Sequence, residues 1–184
     1  MESHKITEPW FSFLLEIDRK LSEVIELECI GGFIITQIYQ SARSTADVDI
    51  ISVNPKSQSK VLREIAGEGS LLHRKYKVYL DFVGVAQLPE NYEERLVEIF
   101  PDNFRHLRLL ALDPYDIALS KIERNIQRDR DDVKYLSNVV PLDLEILKER
   151  YEQELRPILR NPRREDLTLK LWIEAIEEER LLKN

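Results

Sequence analysis

A single cysteine, Cys29, is all the thiol chemistry in the chain, so no internal disulfide can form and a reducing compartment is expected. It lies in the apolar run at 27–30, where a buried, inert thiol is expected rather than a nucleophile. No stretch approaches the roughly 18 apolar residues that a membrane span needs. The opening MESHKITEPW has neither a basic lead nor an apolar core of secretory type, so a cytoplasmic location is expected. Five glycines and eight prolines exclude collagen-like and low-complexity classes. The three histidines, His4, His73 and His106, lack metal-ligand spacing and read as surface residues. No G-x-S-x-G, H-E-x-x-H or P-loop pattern occurs, which removes support for those hydrolase classes. A net charge of −7 weighs against whole-surface attraction to nucleic acid but leaves room for a local basic cleft.

What is present suits one domain, or one compact domain with a helical appendage: 184 residues, 43% hydrophobic and 33% charged. Trp10, Leu14, Ile17, Leu21, Val24 and Ile25 form a helical stripe, with Thr7 as expected N-cap and Pro9 in the first turn. LECI reads as a strand stopped by Gly31-Gly32, and FIITQIYQ as a helix. DVDIISV is a strand ended at Asn54-Pro55. SQSKVLREIAG is a helix with Val61, Leu62 and Ile65 inward and Gly67 as its stop. KYKVYLDFVGVA is a strand centred on Asp81, NYEERLVEIF a short helix or irregular edge, and NFRHLRLLAL a fourth strand. Beyond Asp113-Pro114 every segment has helical spacing, with breaks at Pro141, Pro157 and Pro162. The expected division is an α/β part over 1–111, including the N-terminal helix, and a helical part over 112–184 packed on it.

Asp47 and Asp49 pose the chemical question. On a strand, residues i and i+2 share a face, so both carboxylates project together while Val48 and Ile50 point into the packed side. Two such charges repel unless a cation lies between them. A bare D-x-D also fits a solvated strand entrance. If the strand carrying Asp81 is a neighbour, a third carboxylate joins the face, a donor set suited to a hard cation such as Mg²⁺. Gly31 and Gly32, between strand and helix, would present backbone N–H groups to an anion. Lys121 is expected on a helix with Ile117, Leu119 and Ile122 as its apolar contacts. Arg128, Asp129 and Asp132 read, on composition, as a solvated charge run with pairs such as Arg128–Asp132.

In this order the motifs resemble the DNA polymerase β-like nucleotidyltransferase superfamily, and within it the small prokaryotic branch related to AbiEii/MenT toxins and uncharacterised nucleotidyltransferase-like proteins. The resemblance runs from about 29 to 136. It is carried by Gly31, Gly32, Arg43, Ser44, Thr45, Asp47 and Asp49, then Asp81, then a D-x-x-x-x-K…R-D-x-x-D signature at Asp116, Lys121, Arg128, Asp129 and Asp132. It departs from the pattern at Gly32, where many active members carry a phosphate-binding serine, and in a longer linker before Asp47.

The resemblance implies an α+β fold, a mixed β-sheet flanked by helices and followed by a helical C-terminal part. It implies two Mg²⁺ ions held by Asp47, Asp49 and Asp81, and an NTP bound by Gly31, Gly32, Arg43, Thr45 and Lys121. Lys121 would act with the three acids in catalysis, and Arg128, Asp129 and Asp132 would support it. The implied reaction moves a nucleoside monophosphate to a hydroxyl of an RNA such as tRNA, or of a protein, and a toxin role would bring an antitoxin partner. The alternatives are a weak or inactive binding or regulatory protein of the same fold, and a helical interaction protein with an incidental acid cluster. Leu144, Leu147, Tyr151 and Leu155 form one late stripe and Trp172 and Ile176 another, read mainly as core. Arg156, Arg160, Arg163 and Arg164 could touch RNA phosphates.

Overall fold

The computed structural model describes residues 5–183, so the reading of His4 lies outside the described residues. The chain forms two compact units. The first takes the chain through Val85 together with Leu96–Leu112; the second takes Ala86–Arg95 and the chain from Asp113 onward.

The first unit is built around a mixed sheet. In chain order it holds α1 (Trp10–Asp18), β1 (Ile25–Ile30), α2 (Gly32–Gln37), β2 (Asp47–Asn54), α3 (Ser59–Ala66), α4 (Leu71–Tyr76), β3 (Tyr79–Phe82), β4 (Val97–Ile99) and β5 (Leu107–Ala111). The strand order is β3-β2-β1-β5-β4. β1 runs antiparallel to β2 and parallel to β5, β2 parallel to β3, and β4 antiparallel to β5. This is the expected α+β mixed sheet flanked by helices.

α1 is shorter than its hydrophobic stripe. It ends at Asp18, whose Oδ1 accepts the backbone N–H groups of His106 at 2.6 Å and Leu107 at 2.8 Å. That anchor fixes the helix end at the entry to β5, so Leu21 stays buried, Val24 is exposed and Ile25 begins a strand. Thr7 is not a cap: its N–H and its hydroxyl both donate to Gln37 Oε1, at 3.0 and 2.8 Å. The rings of Trp10 and Phe33 meet edge-on, 5.1 Å apart, and hold α2 against α1.

β2 carries a bulge. Glu28 faces Ser52 while Cys29 faces Ile50, leaving Ile51 as the extra residue. The slip changes the alternation, so Val48, Ile50 and Val53 are the buried residues of the strand.

Two sequence expectations nearby need correction. Val61 is exposed and Ile65 half-buried; Leu62 and Ala66 are the residues α3 buries. The expected strand from Lys75 begins as the end of α4, which the Ser70 hydroxyl caps by accepting the His73 N–H and which Lys77 terminates at φ 63°. Only Tyr79–Phe82 is strand. The histidines are not simple surface residues either. His73 is half-buried, accepts the Gly69 N–H at Nδ1 and lies 4.8 Å from the Tyr79 ring, and His106 is half-buried.

The second unit is helical: α5 (Pro114–Leu119), α6 (Gln127–Val139), α7 (Leu144–Arg150) and α8 (Arg163–Lys183). α7 continues into a π-helical turn at Tyr151–Leu155. Leu144, Leu147, Tyr151 and Leu155 pack with Leu169, Trp172, Ile173 and Ile176 in one core, as the two stripes suggested. The Arg95 guanidinium forks onto Asp116 and also reaches Glu154, which ties the 86–95 segment to this unit. Lys121 is not on a helix. It follows the end of α5 in a turn where its N–H donates to the Ala118 carbonyl. Among the described residues, no helix is long and apolar enough to cross a membrane.

Candidate functional site

β2 delivers Asp47 and Asp49 to one face of the sheet, because Val48 and Ile50 are drawn into the core on the other. The parallel pairing with edge strand β3 sets Asp49 opposite Asp81 and Asp47 opposite Tyr79. One carboxylate oxygen from each of Asp47, Asp49 and Asp81 lies within 4.8 Å of the other two. Asp47 and Asp49 are half-buried and Asp81 is exposed, so the cluster opens to solvent on the β3 side. Among the described residues it is the one group of three or more His, Cys, Asp or Glu side chains this close.

The donor set fits a hard divalent cation. Ligand oxygens sit about 2.0–2.6 Å from Mg²⁺ or Ca²⁺, so two of them across one ion are roughly 4–5 Å apart. Three carboxylate oxygens within 4.8 Å of one another meet that upper limit.

Gly31 and Gly32 bound the site from the β1–α2 junction. Gly31 has φ 75° and ψ −146°, a conformation open mainly to glycine, and a Cβ there would run into the Asp49 carboxylate. Ile30 pairs with Asp49 across the ladder, which explains the close approach. At Gly32 a Cβ would meet Arg43 Nη2 at 2.5 Å and Thr45 Oγ1 at 2.8 Å. Thr45 Oγ1 in turn donates to Asp47 Oδ1 at 2.7 Å, and Arg43 Nη1 donates to the Ser44 carbonyl at 3.3 Å. Thus Gly31, Gly32, Arg43, Thr45, Asp47, Asp49 and Asp81 form one contiguous group. The space a serine would need at 32 holds the Arg43 guanidinium.

The negative field of this group registers on its neighbours. Burial pushes the Tyr79 phenol up, and the carboxylates of Asp47, Glu68, Asp81 and Asp49 push it further. Burial, then Asp49 and Glu28, push the Cys29 thiol well above its usual range. Cys29 is fully buried and donates to the Leu27 carbonyl, the inert thiol expected of it.

Lys121, Asp129 and Asp132 belong to the second unit and form a buried ionic cluster. Lys121 is only 4% exposed, with Nζ 2.9 Å from Asp132 Oδ2 and 3.7 Å from Asp129 Oδ1. Burial opposes charge on Asp129, but the Arg124 fork, the Ile126 N–H and Lys121 outweigh it and hold its carboxyl below the usual range. The solvated-run expectation is therefore corrected: Arg128 is exposed, while Asp132 turns inward to Lys121. Asp116, fully buried, takes Arg95 and Arg150.

A family model described as "Nucleotidyltransferase of unknown function (DUF6036)" matches residues 12–180. The chain belongs to this nucleotidyltransferase family. No curated protein and no solved structure matches it. Three features of the structure escaped the sequence: Tyr79 in register with Asp47, the packing of Arg43 on Gly32, and the Arg95–Asp116–Glu154 junction. Only the first had a signal, since Tyr79 stands two residues before Asp81 and so shares its face.

Proposed function

We propose that the chain is an Mg²⁺-dependent nucleotidyltransferase that moves a nucleoside monophosphate from an NTP to a hydroxyl of an RNA, such as a tRNA, or of a protein. The observation that carries this reading is the approach of the Asp47, Asp49 and Asp81 oxygens within 4.8 Å beside a glycine junction, in a chain of a nucleotidyltransferase family.

Asp47 and Asp49, with Asp81 from the edge strand, would hold the cations. Bound there, Mg²⁺ would neutralise charge on the phosphates and the leaving pyrophosphate. Asp81, the exposed member, would receive the proton of the acceptor hydroxyl as its oxygen bonds to the α-phosphorus and pyrophosphate departs. In this reading the Gly31 and Gly32 backbone amides would face the triphosphate, and Arg43, which packs on Gly32, is the cation we assign to it. Lys121 acts in this reading through the fold of the second unit, since its ammonium is committed to Asp132 and Asp129; Arg128 lies outside that cluster. We place catalysis in 1–111 and a supporting helical part in 112–184. The order of motifs supports a place in the AbiEii/MenT-related branch, hence a toxin with an antitoxin partner.

The test is a transfer assay with each of the four NTPs and Mg²⁺, against bulk tRNA and against the chain itself, with Asp47→Ala as blank. Labelled acceptor that Asp47→Ala and Asp49→Ala abolish is expected. Transfer that survives Asp49→Ala overturns the reading, and metal-dependent nucleotide binding without transfer to either acceptor favours the regulatory alternative.

A further inference from the structure

The first unit has a second concave feature, and Arg43 is among the residues that line it. A cavity of about 400 Å³ opens where α2 runs out. Lys5 and Arg43 supply cations to it, and Thr36, Gln40 and Ser41 supply neutral polar groups. None of its lining residues, among the described residues, is acidic. In a chain with 34 Asp and Glu among 184 residues and a net charge of −7, a concave surface with two cations and no carboxylate is a local reversal of sign.

The cavity is also built rather than incidental. One wall is fixed by the paired hydrogen bonds from Thr7 to Gln37 Oε1, both of which line it. Among the lining residues Gln40 is held at φ 58°, a left-handed conformation unfavourable for a residue with a Cβ and one that collects at ligand sites. Arg43 belongs to both places: its guanidinium lies over Gly32 beside the acid cluster, and the residue also lines this cavity.

We propose that this cavity binds a phosphate ester, with Lys5 and Arg43 as its cations and Gln40 and Ser41 as neutral donors. An arginine fork with hydroxyl and amide donors around it matches the several oxygens of a phosphate. The proposal deepens the nucleotidyltransferase reading and rests on it only for the source of the ester, either the nucleotide itself or the backbone of an RNA acceptor.

The experiment uses the full chain in EDTA, so that the acid cluster carries no cation and repels phosphates. ATP is titrated by calorimetry, and a short fluorescein-labelled single-stranded RNA by anisotropy at several salt concentrations. Ser41→Glu, which adds a carboxylate to the cavity, and Lys5→Ala are compared with the wild type. Retained Mn²⁺ binding certifies that each variant is folded, and if Ser41→Glu fails that check Lys5→Ala decides. Roughly tenfold weaker binding is expected, the scale of one lost charge-assisted hydrogen bond. Weakening for RNA alone, with a shallower salt slope for Lys5→Ala, identifies an acceptor backbone. Weakening for ATP, with or without RNA, identifies the nucleotide. Wild-type chain that binds neither probe, or folded variants that bind both as tightly as wild type, overturn the proposal. A chain that binds a probe in EDTA yet transfers nothing counts against the transferase reading and leaves the cavity standing.

Discussion

Gly31 and Asp49 compete for one point in the fold: the place a Cβ on residue 31 would take is already filled by the Asp49 carboxylate. The φ of 75° at Gly31 adds backbone strain to any substitution. Gly31→Ala should therefore cost about 2 kcal/mol of stability and displace Asp49. Urea unfolding reads the first effect. A Mn²⁺ titration reads the second, with at least roughly tenfold weaker binding expected if Asp49 is a ligand.

Gly32→Ser tests a different relationship. A serine at this position would press on Arg43 and Thr45. The substitution is expected to weaken nucleotide binding rather than restore it. Gly32→Ser combined with Arg43→Ala should show non-additive binding energies, because the two residues share one space. Additive losses in a double-mutant cycle would contradict this packing.

Asp81 should reveal the cost of the acid cluster. With no metal, three carboxylates within 4.8 Å repel one another, so neutralising the exposed member relieves the other two. Asp81→Asn is expected to be more stable in EDTA, by about 0.5 kcal/mol, and to gain less from added Mn²⁺. Thermal melts with and without the ion check both signs. A variant that keeps the full gain from Mn²⁺ shows that Asp81 is not a ligand.

Lys121 separates structure from catalysis. Its removal takes the ammonium away from two buried carboxylates, Asp132 at 2.9 Å and Asp129 at 3.7 Å. Lys121→Met should lose about 3–5 kcal/mol of stability, with any lost activity explained by unfolding. If the variant is as stable as wild type and transfer is lost, the ammonium acts on substrate.

Asp18 carries a pH signature. Burial alone would raise its carboxyl, but the N–H groups of His106, Leu107 and Arg105 outweigh burial and lower it. A folded-state pKa below the unfolded value contributes stability above about pH 4, and that contribution is lost as pH falls through the folded value. Asp18→Ala should thus destabilise by about 3 kcal/mol at pH 7, with the difference from wild type shrinking in acid. Urea midpoints at pH 7 and in acid measure it.

Much of this was legible in the chain because it depends on local periodicity. The alternation of DVDIISV predicts both aspartates on one face and Val48 and Ile50 buried, and the i, i+3, i+4 spacing of Leu144, Leu147, Tyr151 and Leu155 predicts a buried stripe. The same rules fail where a distant group decides. The α1 stripe continues to Ile25, yet Asp18 binds amides 88 and 89 residues away and ends the helix. Lys75 and Tyr76 alternate like a strand, but Tyr76 ends a helix and its hydroxyl donates to Glu16 at 2.6 Å.

By itself the sequence determined the acid pair, the glycine junction before it and a helical second half, because each is written in spacing over a few residues. Tertiary structure alone decided that Asp81 stands beside Asp49, since a parallel register between β2 and β3 depends on the intervening α3 and α4. It also decided what Gly32 is for. Its missing side chain leaves room for Arg43, eleven positions on, and only the fold could put a guanidinium there.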